Sequence, residues 1–219
     1  LRNEVGKIAN HKTCGGVIVQ LPLPGHLNRH YILNAIPREK DVDVLGERAL
    51  GAFYAGRNPV LPPAVGTVET IIENCKLKIE NCAVAIVGLG LLVGAPIAIW
   101  IMDKAKEVYL LHKGSGFEIL KNADLVISGV GKAGLIKPDM LKAGAGVIDF
   151  GYSITQINAD ETQVTADKKI TISGDFDTNP PSTTYHLLNF YTPTPGGTGP
   201  ILVAKLLENF YKLNIDKNS

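Results

Sequence analysis

The sequence predicts an α/β protein built on a doubly wound parallel sheet, and three observations predict it. Ala83–Val87 is a buried-type apolar run that feeds a glycine turn, a helix over about 96–106 and a second strand over 108–111, which is a βαβ unit. The segments 125–130, 146–150 and 169–173 are further short apolar runs, spaced to leave room for helices or loops. Pro200 opens a last helix, with Ile201, Leu202, Leu206, Leu207 and Phe210 on one stripe.

Composition narrows the functional classes. The 219 residues are 45% hydrophobic and 20% charged, with 22 Lys+Arg against 21 Asp+Glu, so the chain can bury a core and intrinsic disorder is excluded. A net charge of +1 leaves no polycationic footprint for nucleic acid, and no Lys/Arg run is dense enough for an anionic membrane surface. Cys14, Cys75 and Cys82 form neither a CxxC pair nor a zinc-ligand spacing, so the expectation is a reducing, cytoplasmic compartment without a disulfide framework.

Taken in order, Leu1–Ala9 carries Leu1, Val5, Ile8 and Ala9 at helical spacing and reads as the end of an amphipathic helix. Because the chain opens on Leu1, it reads as starting inside a longer protein. Val17–Val19 is a short strand that Pro22, Pro24 and Gly25 turn into a loop. The segment 27–36 is a helix stopped by Pro37, 46–63 has no regular pattern, and 67–77 is another helix. Residues 83–102 are uncharged for about the length of a bilayer span. Gly88, Gly90, Gly94 and Pro96 interrupt that stretch, which fits strand, turn and buried helix and argues against a membrane segment.

The glycine turn is the clearest chemical signal. A strand feeding Gly88-Leu89-Gly90 into a helix presents backbone N–H groups to a pyrophosphate, as in a Rossmann-like dinucleotide domain. The third glycine, Gly94, falls one residue later than in G-x-G-x-x-G, and the same glycines could serve only close strand–helix packing. His112 and Lys113 follow the second strand, where an NAD site usually carries an acid, which tilts the expectation towards NADP; they are equally consistent with a solvated strand end. His26 and His30 lack a third ligand, so no metal is expected, and neither Ser115 nor Ser153 sits in a nucleophile elbow. Asp41 and Asp43, by themselves, read as solvated turn residues.

Four stretches taken together, Gly16-Val17-Ile18-Val19-Gln20-Leu21-Pro22-Leu23-Pro24, Lys40-Asp41-Val42-Asp43, Val93-Gly94-Ala95-Pro96 and Thr192–Pro200, resemble the methylenetetrahydrofolate dehydrogenase/cyclohydrolase family in order and spacing. The shorter stretches 123–125, 129–132, 147–151 and Gly174-Asp175 resemble it too. The resemblance implies a Rossmann-like NAD(P) domain over 69–199 and a smaller, N-terminally incomplete α/β folate-binding domain formed by 1–68 plus 200–219. It implies oxidation of 5,10-methylenetetrahydrofolate with NADP, or NAD, and hydrolysis of the methenyl product to 10-formyltetrahydrofolate, in one cleft between the domains. On that resemblance Gln20 and Asp43 are catalytic-site residues. Gln20, Leu21, Pro22, Asp43, Pro195, Gly196 and Gly197 hold the folate, and Gly88, Leu89, Gly90, Gly94, His112, Lys113, Gly131 and Tyr152 meet the cofactor. A homodimer is implied as well.

The departures are specific. No Tyr-x-x-x-Lys motif, which carries the family's catalytic lysine, precedes Gln20; the family's Gly-Arg-Ser is Gly88-Leu89-Gly90; its Pro-Cys-Thr-Pro-x-Gly is Leu61–Gly66; and the glycine after its Asp-Val-Asp is Val44. The alternatives are therefore a non-catalytic or fragmentary relative that keeps a binding pocket, and an unrelated dinucleotide-binding dehydrogenase, which leaves Gln20–Pro24 unexplained. If the front of the first domain is truly absent, the strand at 15–19 exposes an edge and the chain should self-associate. A monodisperse peak in size-exclusion chromatography, with a cooperative melt, is the outcome that contradicts this.

Overall fold

The computed structural model describes residues 1–157, 169–178 and 187–215. The chain forms two compact units, Leu1–Ile71 with Ile201–Ser219, and Ile72–Pro200.

The second unit is organised by a five-stranded parallel sheet of order β2-β1-β3-β4-β7: β1 is Ala83–Val87, β2 Glu107–Leu111, β3 Leu125–Ser128, β4 Gly146–Asp149 and β7 Phe190–Tyr191. Every residue of β1, β3 and β4 is buried, the condition of a parallel sheet covered on both faces, and this explains their unbroken apolar composition. One face packs Ala85, Val87, Val126 and Val147 against Leu111, Leu120, Ile136 and Phe176. The alternating residues Val84, Ile86, Leu125, Ile127 and Ile148 are also fully buried. Helix α5, Gly94–Ile101, connects β1 to β2, with Ile97 and Ile101 fully buried. The uncharged stretch 83–102 is thus a core strand and its crossover helix, and among the described residues no helix is long and apolar enough to cross a membrane.

Several expectations change. Lys169–Ser173 does not join the parallel sheet. It is β6, paired antiparallel with β5, Ser153–Ile157, in a separate two-stranded ribbon. Its apolar pattern could not distinguish the two placements, because both satisfy the same backbone groups with a neighbouring strand. The connections flanking β3 hold only short 3₁₀ turns, Glu118–Asn122 and Pro138–Met140. Helix α5 also ends at Ile101 instead of about 106.

The first unit comprises α1 (Arg2–Asn10), α2 (Arg29–Leu33), α3 (Glu47–Tyr54), α4 (Pro63–Asn74, to Ile71) and α6 (Thr198–Ile215, from Ile201), and α1 and α2 meet at a small core. Val5, Ile32 and Ile36 form its cluster with Val17, Val19, Leu23, Leu27 and Ala35. Helix α2 is shorter than its apolar pattern, beginning where the Asn28 side chain accepts the Tyr31 N–H at 3.1 Å. Helix α3 lies in a segment whose glycines and prolines masked its period. The predicted strand at 17–19 is reduced to one parallel bridge, Val17 to Asp41, because Pro22 and Pro24 beyond it can donate nothing to a ladder. Helix α6 is tied to this unit by Asn209, whose amide donates to the carbonyls of Val42 (2.9 Å) and Leu61 (2.8 Å), and by Asn214, which donates to Gly15 at 3.1 Å.

Val44 adopts a φ of 56° while fully buried. A β-branched residue in the left-handed region costs about 1–2 kcal/mol, and burying its side chain returns about as much. Replacing it with Ala keeps the strain and loses packing, whereas replacing it with Gly loses more packing and relieves the strain. Val44→Gly should therefore melt no lower than Val44→Ala, reversing the usual order of the two residues. A Gly variant that melts well below the Ala variant in a denaturation series contradicts the strain argument.

Candidate functional site

The connections leaving the adjacent strands β1 and β3 run in opposite directions along the sheet, to β2 and to β4, so a crevice opens at the carboxyl ends of β1 and β3. A cavity of about 680 Å³ occupies it. Its walls are the β1 end with Gly88–Gly90, the turn from Leu111 to Ser115, and the segment after β3 that contributes Gly129, Val130 and Lys132.

The three glycines of the turn have different physical roles. Gly88 has a φ of 86°, a conformation that favours glycine. A Cβ on Gly94 would overlap the Gly88 carbonyl, so Gly94 serves strand–helix packing and does not line the cavity. A Cβ on Gly90 would meet nothing within 4 Å, and Gly90 lines the cavity. Packing and backbone conformation therefore account for Gly94 and Gly88, while the open space over Gly90 suits the close approach of a ligand.

Beyond β2, the turn is closed by the Ser115 N–H donating to the His112 carbonyl at 3.0 Å and the His112 N–H donating to the Ser115 hydroxyl oxygen at 3.1 Å. Among the described residues the wall carries His112, Lys113 and Lys132 and no carboxylate. The volume is that of a small-molecule site, and the lysines suit an anionic group such as a pyrophosphate. Gly88, Leu89, Gly90, His112 and Lys113 are thus brought together around one cavity. Gly131 and Tyr152 are not part of its wall. Gly131 has a φ of 77° and its carbonyl accepts the Ser153 hydroxyl at 2.9 Å, while Tyr152 is exposed.

Sequence reasoning did not assign a role to two buried carboxylates at this end of the sheet. Asp175, fully buried, accepts the Ser128 hydroxyl at 2.6 Å and the Val130 N–H at 2.7 Å on Oδ2, and the Lys132 N–H at 2.6 Å on Oδ1. Asp149 accepts the N–H groups of Gly151 (2.6 Å) and Phe176 (2.9 Å). Burial pushes the Asp149 carboxyl up, with Asp175 adding to it and those N–H groups opposing it. The available signal was the pattern of an aspartate after a glycine or at a strand end, which does not specify partners.

In the first unit the parallel bridge between Val17 and Asp41 sends both segments in one direction, so Gln20 and Asp43 emerge at the same end. Gln20 is exposed and its amide donates to the Leu21 carbonyl at 3.0 Å; Leu21 is half-buried and Pro22 exposed, joined by a cis peptide. Asp41 is buried and accepts the N–H groups of Leu45 (3.0 Å) and Gly46 (2.8 Å). Asp43 is half-buried, and burial, reinforced by the Asp41 charge, pushes its carboxyl up to about 6. In the second unit Pro195 follows a cis peptide and is exposed, and Gly196 has a φ of 99°. The Gly197 N–H donates to the Pro193 carbonyl at 2.8 Å, and a Cβ on Gly197 would collide with that carbonyl.

Fold and cavity together define a dinucleotide-binding α/β protein. The NAD(P)-binding domain model of tetrahydrofolate dehydrogenase/cyclohydrolase matches residues 62–218, and the catalytic domain model of the same family matches residues 1–43. The chain belongs to the tetrahydrofolate dehydrogenase/cyclohydrolase family. It is 31% identical over 210 residues to the bifunctional protein FolD of Lactobacillus gasseri, covering 95% of this chain and 69% of that protein. It is 32% identical over 211 residues to the FolD of Macrococcus caseolyticus, with 95% and 69% covered. Among solved structures, Campylobacter jejuni FolD superposes with a TM-score of 0.83 at 29% identity, covering 99% of this chain and 74% of that one. Trypanosoma brucei FolD, complexed with NADP and an inhibitor, gives 0.82 at 27% identity, covering 97% and 70%.

The raised Asp43 carboxyl has a consequence for stability. Folding favours its protonated form, so that contribution is complete below about pH 4 and is lost as pH rises through about 6. The difference is on the order of 3 kcal/mol. Asp43→Asn should therefore raise the melting temperature relative to wild type at neutral pH and bring the two together near pH 4, measured by thermal denaturation across that window. Parallel melting curves at every pH contradict the burial of this charge.

Proposed function

We infer that this protein oxidises 5,10-methylenetetrahydrofolate to 5,10-methenyltetrahydrofolate with NADP, NAD being the alternative, and hydrolyses the product to 10-formyltetrahydrofolate. The observation that carries the reading is the cavity around Gly88–Gly90 walled by His112, Lys113 and Lys132, in a chain that the family's NAD(P)-binding domain model matches over 62–218 and its catalytic domain model over 1–43. The similar FolD of Trypanosoma brucei, complexed with NADP, supports the cofactor.

Nicotinamide, when bound, supplies the hydride acceptor. The chain's own residues bind and orient. Gly88 and Gly90 admit the pyrophosphate close to the backbone, and Lys113 and Lys132 offset its charge. Asp43, ionised above about pH 6, accepts N–H groups of the pterin. Gln20, Leu21 and Pro22 belong to the same folate-binding role, which rests on the family resemblance of their segment. Hydrolysis of the methenyl group requires a positioned water and a proton acceptor, which general acid–base chemistry provides. The nucleotide domain comprises 69–199, and the folate domain 1–68 with 200–219. A homodimer, a cytoplasmic location and the supply of formyl groups to purine biosynthesis belong to the same reading and rest on family resemblance.

The test follows the near-ultraviolet absorbance of reduced nicotinamide with methylenetetrahydrofolate and either NADP or NAD, using the product of the full reading frame. Reduction with NADP exceeding that with NAD is expected. Asp43→Ala should abolish folate binding and leave NADPH binding intact, with wild-type folate affinity weakening below about pH 6. Folate bound with neither cofactor reduced identifies instead a relative that keeps the site without its chemistry, a reading to which Leu89 and Gly90, in place of Arg and Ser, would then point.

A further inference from the structure

We propose that Asp175 is a positioning residue for the dinucleotide cavity, holding the wall after β3 in its binding shape before any ligand arrives. The proposal rests on reading that cavity as the cofactor site.

The Gly129 N–H makes the last bond to β1, donating to the Val87 carbonyl at 3.1 Å, and beyond it the N–H groups of Val130 and Lys132 donate to no strand. Asp175 supplies the acceptors. Its Oδ2 takes the Ser128 hydroxyl and the Val130 N–H, and its Oδ1 takes the Lys132 N–H, at 2.6–2.7 Å. The carboxylate is fully buried, so these bonds meet little competition from water. Two of the three bonds end on backbone groups of Val130 and Lys132, which line the cavity. The residues packed against this segment leave it no slack. A Cβ on Gly88 would lie 2.8 Å from Val130 Cγ2, and one on Gly129 would lie 2.7 Å from Val93 Cγ1. A wall that loses its anchor therefore changes the width of the cavity beside Gly88.

The side chain's chemistry makes the role separable from general stability. An asparagine at 175 has one carbonyl oxygen, so in either orientation its NH₂ faces a backbone N–H, that of Lys132 or that of Val130. A donor then opposes a donor, and one anchor of the wall is lost. Ser128→Ala removes a bond to the same carboxylate at an equally buried position, yet leaves both backbone anchors in place.

The test is fluorescence titration of wild type, Asp175→Asn and Ser128→Ala with NADPH and NADH, alongside thermal melts. Both variants should melt lower than wild type. Asp175→Asn should bind both reduced cofactors about tenfold more weakly, and Ser128→Ala within about twofold of wild type. Hydrogen exchange on the free wild-type protein should show the Val130 and Lys132 amides already protected, a measurement that holds even if Asp175→Asn fails to fold. Asp175→Asn binding as wild type does, equal losses in the two variants, or freely exchanging amides in the free protein each overturn the role. A wild-type protein that binds neither cofactor overturns the reading of the cavity, and the role of Asp175 with it.

Discussion

In the nucleotide unit the arrangement depends on β1 being paired on both sides and buried on both faces. A strand in that position can be left by the chain only at its ends, and it must be apolar throughout. At its carboxyl end the connection from β1 runs to β2 while that from the adjacent β3 runs the other way to β4, so the cavity exists because of the strand order and not because of any residue lining it. The lining residues decide what enters. Glycines remove side chains from the approach, and the wall's charged residues are lysines, which suits an anion.

The same end of the sheet poses a polar problem that the core cannot solve. Segments leaving β3, β4 and β6 carry N–H groups that no ladder takes up, those of Val130, Lys132, Gly151 and Phe176, next to an apolar interior. Asp149 and Asp175 meet them with buried acceptors. Desolvating a carboxylate costs several kcal/mol, and a hydrogen bond to a charged group contributes roughly 1.5–3 kcal/mol. Three such bonds to Asp175 can offset the burial, which a lone bond could not. Close packing around the carboxylates also fixes glycine nearby, since a Cβ on Gly151 would collide with the Asp175 carboxylate and one on Gly174 with that of Asp149.

The folate unit shows the opposite balance. Asp41 satisfies its burial with the N–H groups of Leu45 and Gly46, whereas Asp43, two residues on, is half-buried with burial and its neighbour's charge acting against ionisation. Val44 then takes a left-handed backbone in the core. A raised carboxyl and a strained residue side by side are features that stability alone does not select, and they coincide with the segment resembling the folate site.

Much was legible without coordinates. The buried strands, the turn at Gly88 and the closing helix follow from apolar runs, glycines and a proline, because these act through local backbone freedom and removal from water. The resemblance carried the family from motifs that are local in the chain. Tertiary structure alone decided that Lys169–Ser173 pairs with Ser153–Ile157 outside the main sheet, and that Gly94 packs while Gly90 faces open space. It alone joined Asp175 to Ser128 and Lys132, 47 and 43 residues away. Periodicity reports whether a residue is buried, but hydrogen-bond partners so far apart in the chain are chosen by the packing of the whole unit.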